Sequence, residues 1–150
     1  MEESKQGIPV LINLASMVSY HGTQQDPLQV VTTGKLYLQG KQSLLRYKES
    51  VEDEETGRMS EDDVQLILGK NQVTMNRSGE YNNTMVFQKK RRFETTYRTP
   101  YGELPMAVYS QDVRCDLGKD SGKVHLVYEL SMQGAYASTN ELHLEYAATE

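Results

Sequence analysis

The segment VHLVYELSM, residues 124–132, alternates apolar and polar side chains and decides the fold class. Successive side chains of a β-strand point to opposite faces, so one face of this segment is entirely apolar. The residues on that face are Val124, Leu126, Tyr128, Leu130 and Met132. The same two-residue period occurs in residues 8–14, 64–68 and 142–146. This pattern predicts half-buried strands along the chain and leaves little room for helices.

Turn signals separate the alternating segments at short intervals, as in Asp26-Pro27, Gly118 to Gly122 and Gly134. This spacing predicts an all-β fold of about eight to ten strands, either an antiparallel sandwich or a closed barrel. We favour a single antiparallel up-and-down β-barrel over residues 7–150, because closure removes the unpaired edges of a sheet. Gly34 is the predicted bulge or bend at a barrel corner. Residues 1–6 are predicted to be disordered.

Composition excludes several classes of function. The chain has 150 residues with 16 Lys and Arg against 21 Asp and Glu, a formal charge of -5, which argues against neutralising nucleic-acid phosphate as its main task. One cysteine, Cys115, cannot form an internal disulfide. The longest apolar run near the start, residues 8–15, is far shorter than the roughly 20 residues of a membrane span, and no basic segment precedes it. We therefore expect a cytoplasmic protein.

Several longer segments carry a resemblance to a known family. These segments are residues 45–50 (LRYKES), 55–57 (ETG), 73–79 (VTMNRSG), 97–102 (YRTPYG), 122–124 (GKV) and 128–130 (YEL). Their order and spacing resemble the YwiB-like family of small bacterial proteins over about residues 8–147, and the TPYG tetrapeptide is the most specific of them. The resemblance implies a calycin-like (lipocalin-like) β-barrel, a cytoplasmic bacterial protein and no assigned activity.

Signatures of catalysis and metal binding are missing from the sequence. His21, His125 and His143 lack the spacing of zinc ligands, and a hairpin that pairs Leu130 with Leu142 would hold His125 and His143 about 13 Å apart. We therefore predict no metal site.

Nucleophile and cofactor motifs are missing as well. Cys115 alternates with apolar neighbours and has no CxxC partner, so we predict a buried and inert thiol. There is no GxSxG elbow, and the glycine-rich segment 118–122 lacks the spacing of a phosphate-binding loop. We predict no cofactor and no enzymatic activity.

Two charge runs allow an interaction with a partner. Lys89, Lys90, Arg91 and Arg92 lie between Phe87 and Phe93, which predicts either a solvated hairpin or a weak RNA or protein contact with the aromatic rings stacking on bases. The acidic segments 52–55 and 61–63 lack the ligand pattern of a calcium loop. We interpret both acidic segments as a solvated loop.

The predicted barrel interior holds polar residues. Counting by twos from apolar neighbours places Glu49 and Arg77 on the inward face near strand ends, and charges buried there need each other or a ligand. Tyr47, Tyr97 and Tyr101 are predicted to surround them. Two interpretations stay open: a barrel mouth that binds a small apolar or anionic ligand, or an ion-paired plug in a filled barrel that serves as a structural or interaction module.

Overall fold

The structure is a computed structural model that describes residues 7–52 and 55–149. Its strands are β1 (Ile8–Tyr20), β2 (Thr23–Gln24), β3 (Leu28–Gln39), β4 (Gln42–Glu52), β5 (Met59–Leu68), β6 (Gln72–Ser78), β7 (Asn83–Gln88), β8 (Arg92–Thr99), β9 (Gly102–Leu117), β10 (Ser121–Met132) and β11 (Ala135–Ala148). The predicted disordered segment 1–6 lies outside the described residues. Within the described ranges, no helix has the length and apolar character needed to cross a membrane.

The strands form one antiparallel sheet that almost closes on itself. Ten of them follow the order β7-β6-β5-β4-β3-β1-β11-β10-β9-β8, and the two-residue β2 pairs with β1 alone. Nearly every neighbour is the next strand along the chain, and β1 pairs with β11 to join the two ends. β7 and β8 meet through the bridge between Asn82 and Arg98, whose N–H···O distances are 2.8 and 2.9 Å. The predicted all-β, antiparallel up-and-down barrel is confirmed.

Apolar side chains from most of the strands fill the lower part of the barrel, the end that contains the β9–β10 turn. Val10, Ile12, Leu36 and Phe87 are at most 1% exposed. At this end the Tyr146 ring packs over Gly122 and its hydroxyl donates to the Gly118 carbonyl at 2.9 Å, which closes the barrel. The two-residue apolar period is therefore the cause of the closed core.

The upper end, which holds the β10–β11 turn, corrects one register prediction. Gln133 and Gly134 have φ of 52° and 83° between the paired residues Met132 and Ala135, which is the backbone of a two-residue hairpin turn. β11 therefore starts directly after Gly134. A register shift between Leu130 and Ser131 then moves the pairing by one residue, so that Leu142 pairs with Leu126 instead of Leu130. The predicted separation of His125 and His143 is wrong, because this register places them directly opposite each other.

The ladder between β3 and β4 stops halfway along the barrel. It runs from Gln39 paired with Gln42 to Gly34 paired with Tyr47. Within the part of the chain that the structure describes, residues 28–33 of β3 pair with β1 alone. Gly34 shows no register shift, so it is not the predicted bulge. A Cβ at this position would collide with the Arg46 carbonyl oxygen, so the missing side chain lets β4 approach β3.

Candidate functional site

An ion-paired cluster lies inside the upper half of the barrel. Arg77 on β6 donates from Nη2 to both carboxylate oxygens of Glu49 on β4, at 3.2 Å each. Its Nη1 lies 3.6 Å from Oδ2 of Asp62 on β5. The side chains of Arg77, Glu49 and Asp62 are 17%, 39% and 0% exposed. The structure thus brings the predicted pair together and adds a carboxylate.

Asp62 shows that the acidic segment 61–63 belongs to a strand. The interpretation of this segment as a solvated loop is wrong, because it forms part of β5 and the Asp62 side chain is fully buried. Its Oδ1 accepts the backbone N–H of Glu80 at 3.2 Å, whereas Oδ2 has no hydrogen-bond partner among the described residues and faces only the more distant Arg77 guanidinium. The other predicted acidic segment, 52–55, falls partly outside the described residues.

Three tyrosines, Tyr47, Tyr97 and Tyr128, border the cluster. Tyr47 is 6% exposed. Burial raises the pKa of the Tyr47 hydroxyl well above the usual value, and the negative charge of Glu49 raises it further. Burial also raises the pKa of Tyr128 to about 12 and raises that of Tyr97. These phenols stay protonated at neutral pH, so they act as neutral dipoles beside the charges. Tyr101, the other predicted neighbour, lies in the β8–β9 turn and is 64% exposed.

The charges of the cluster are not arranged for an anion. Burial alone would lower the pKa of Arg77, but the neighbouring Glu49 carboxylate, supported by Asp62, raises it. One cation thus faces two carboxylates, and an incoming anion would meet a negative excess. The Arg77 cluster therefore matches the predicted structural plug better than an anion site.

A separate cavity of about 800 Å³ opens where β3 and β4 part, and we call it the β3–β4 cleft. Its inner wall includes Thr32, Tyr47 and Val64, which belong to the inward-facing rows of their strands. Its outer wall carries both signs of charge, supplied by Lys35, Arg46, Lys48, Glu61 and Asp63. The cleft thus joins the outer surface to the edge of the core.

Arg77 borders a different cavity. It lines an opening of about 420 Å³ along the β7–β8 seam, together with Asn83 and Thr95. Tyr47 and Arg77, predicted to share one pocket, thus face separate openings on the two sides of the cluster.

The basic run begins in the β7–β8 turn and ends at Arg92, the first residue of β8. Lys89 lies 3.6 Å from Asp112, and Arg92 lies 3.4 Å from Glu94. Phe87, predicted to stack on bases, is 0% exposed and belongs to the core. Lys90 and Arg91 are exposed beside these ion pairs and Phe93 is half-buried, so the structure removes only Phe87 from the predicted combination of cations and aromatic rings.

Cys115 packs against the core beside Val113 and Leu117 on β9. Burial raises the pKa of its thiol to about 11, which keeps the sulfur protonated and unreactive at neutral pH.

Comparison with known proteins agrees with a small antiparallel β-barrel. A family model described as a domain of unknown function, DUF1934, matches residues 12–144, and the chain belongs to this family. The crystal structure of the ywiB protein from Bacillus subtilis superposes with a TM-score of 0.82 at 20% identity, over 97% of this chain and 95% of that one. No curated protein matches the chain. The resemblance predicted from the sequence is confirmed, and at this identity the structural likeness concerns the fold.

Proposed function

We propose that the protein binds a small molecule with an apolar body and an anionic group in the β3–β4 cleft, without catalysing a reaction. The observation that carries this proposal is the cavity of about 800 Å³ at the break in the β3–β4 ladder. Small-molecule sites in proteins have volumes of about 300–1,000 Å³ and combine an apolar wall with a few polar groups.

The cleft offers a place for each part of such a ligand. Its inner wall of Tyr47 and Val64 is continuous with the core and suits an apolar body. Its outer wall carries three cations against two carboxylates. Lys35 and Lys48 form no ion pair within the described part of the chain, so their ammonium groups can take an anion. In this proposal the anionic group of the ligand contacts these two lysines and not Arg77, the partner that the sequence predicted for it.

A cytoplasmic location is part of this proposal. Cys115 is a free cysteine, and reducing compartments keep thiols in that state.

The test uses 8-anilinonaphthalene-1-sulfonate, a fluorescent probe with an aromatic body and a sulfonate. We expect one saturable site, and we expect Lys35→Ala with Lys48→Ala to raise its Kd about tenfold, or about 1.4 kcal/mol, because the charge-assisted contacts are lost. The matched control is Lys41→Ala with Lys70→Ala, which removes two exposed lysines in the β3–β4 and β5–β6 turns. Equal Kd values for the two double variants would reject the proposal.

One observation favours a second candidate, self-association through β3. Among the described residues, no strand pairs with residues 28–33 on the β4 side, and Leu28 and Val31, on opposite faces, are 62% and 64% exposed. An unpaired apolar edge can add a strand from another chain, here a second copy of the protein. Sedimentation velocity would then show a dimer that Val31→Lys dissociates, and a monomer at all concentrations would reject this candidate.

A further inference from the structure

Two histidines and a glutamate converge on the outer face of β10 and β11. His125 and His143 are directly opposite each other in the antiparallel ladder. Their imidazole rings stack with centroids 4.1 Å apart and an interplanar angle of 14°. Glu141 lies two residues before His143 on β11, so it shares the same face. We call these three residues the His–Glu–His cluster.

The donor atoms of the cluster are close enough to share one ion. Glu141 Oε2 lies 2.7 Å from His125 Nε2 and 3.1 Å from His143 Nε2. One atom from each residue lies within 4.8 Å of the other two. With bonds of about 2.0–2.2 Å, ligand atoms around a tetrahedral zinc ion stand about 3.4 Å apart. Small side-chain rotations on a fixed backbone therefore bring the three donors to bonding distance.

Both imidazoles direct Nε2 at the same carboxylate oxygen, Oε2 of Glu141. As neutral rings with the proton on Nε2, both can donate to that oxygen, which has two lone pairs. In the other neutral tautomer each Nε2 carries a lone pair instead, so a divalent cation between the three atoms would accept one pair from each ring and be neutralised in part by the carboxylate.

We propose that the His–Glu–His cluster binds a first-row divalent transition metal, with Zn²⁺ as the representative ion. Two imidazole nitrogens and one carboxylate oxygen suit Zn²⁺ and its neighbours, whereas Mg²⁺ and Ca²⁺ prefer oxygen ligands alone. The side chains of His125, Glu141 and His143 are 25%, 40% and 56% exposed, which leaves water access to the remaining coordination positions.

The surroundings of the cluster are compatible with a bound cation. Ala15 faces His143 from β1 and leaves space beside it. Arg114 faces His125 from β9, but its guanidinium pairs with Asp112, with Nε 2.8 Å from Oδ2. The opposite face of the same strands is anchored by Leu126 and Leu144, which are 1% and 0% exposed. The ligands therefore stand on strands whose opposite face is held in the core, as a preorganised site requires.

The test is a Zn²⁺ titration of the untagged full chain by calorimetry, with Co²⁺ absorption spectra as a second measurement. We expect one equivalent to bind and to raise the melting temperature. His125→Ala and His143→Ala should each weaken binding at least about tenfold and abolish the visible bands of bound Co²⁺, since each removes one of three protein ligands.

Matched controls separate this site from binding elsewhere. His21→Ala removes the remaining histidine, and Glu145→Gln changes the next outward carboxylate of β11, which pairs with Lys123. Both control variants should bind Zn²⁺ like the unmodified chain. The proposal is overturned if the unmodified chain shows no saturable binding up to millimolar Zn²⁺, or if the His125→Ala and His143→Ala variants keep its affinity.

Discussion

Replacing Arg77 by methionine tests the internal cluster most directly. The substitution keeps the apolar stem and removes the guanidinium, so the fully buried carboxylate of Asp62 loses its counter-ion. Leaving one buried charge unpaired costs about 3–5 kcal/mol, a large part of the stability of a small domain. For a chain of 150 residues this corresponds to a fall in melting temperature of roughly 6–20 °C.

The assay is urea unfolding followed by circular dichroism, with two further variants for comparison. Glu49→Gln should cost no more than about 1 kcal/mol, because the Glu49 side chain is 39% exposed and its charge is solvated. Asp62→Asn combined with Arg77→Met should recover most of the loss, since an amide oxygen can still accept the Glu80 N–H without burying a charge.

The outcome that refutes this reasoning is specific. If Arg77→Met lowers the free energy of unfolding by less than about 1 kcal/mol, the ion pair with Asp62 is not what holds the upper barrel together. If the single variant is strongly destabilised but Asp62→Asn gives no recovery, the loss comes from the packing of the arginine stem.

Two other predictions concern the lower barrel. Gly122→Ala should destabilise the fold by about 1–3 kcal/mol, measured by thermal unfolding, because a Cβ there would meet the Tyr146 ring at 2.5 Å; wild-type stability would show that the ring moves aside freely. The Cys115 thiol should react with a disulfide reagent in the native state only as pH approaches about 11, against about 9 in denaturant. Because the pKa of this thiol is higher in the folded than in the unfolded chain, its contribution to stability is complete below pH 9 and is lost as pH rises toward 11. Rapid reaction of native protein at pH 8 would contradict it.

Much of the architecture follows from the sequence because the two-residue period reports burial directly. The apolar row Val124, Leu126 and Tyr128 marks the inward face of β10, and the structure buries the first two and packs the half-buried Tyr128 against the core. Register does not follow in the same way. The predicted partner of Leu142, Leu130, and its observed partner, Leu126, lie four residues apart, an even number, so both registers bury the same faces and the pattern of burial cannot separate them. The observed register also depends on the shift between Leu130 and Ser131, which no sequence pattern marks. This is why the His–Glu–His cluster escapes prediction from spacing.

Asp62 shows most clearly that the face of a residue follows from the sequence pattern while its partner across the sheet does not. Three adjacent acidic residues favour a solvated loop, yet in a strand the middle residue must point opposite to its neighbours. Counting back from Val64 and Leu66, both 1% exposed, assigns the inward face to Asp62 before any partner is known. Its partner depends on register: Val64 pairs with Arg77, which sets the guanidinium diagonally beside the carboxylate. An inward charge can therefore be identified from parity, whereas the cation that neutralises it is defined only when the strands are aligned.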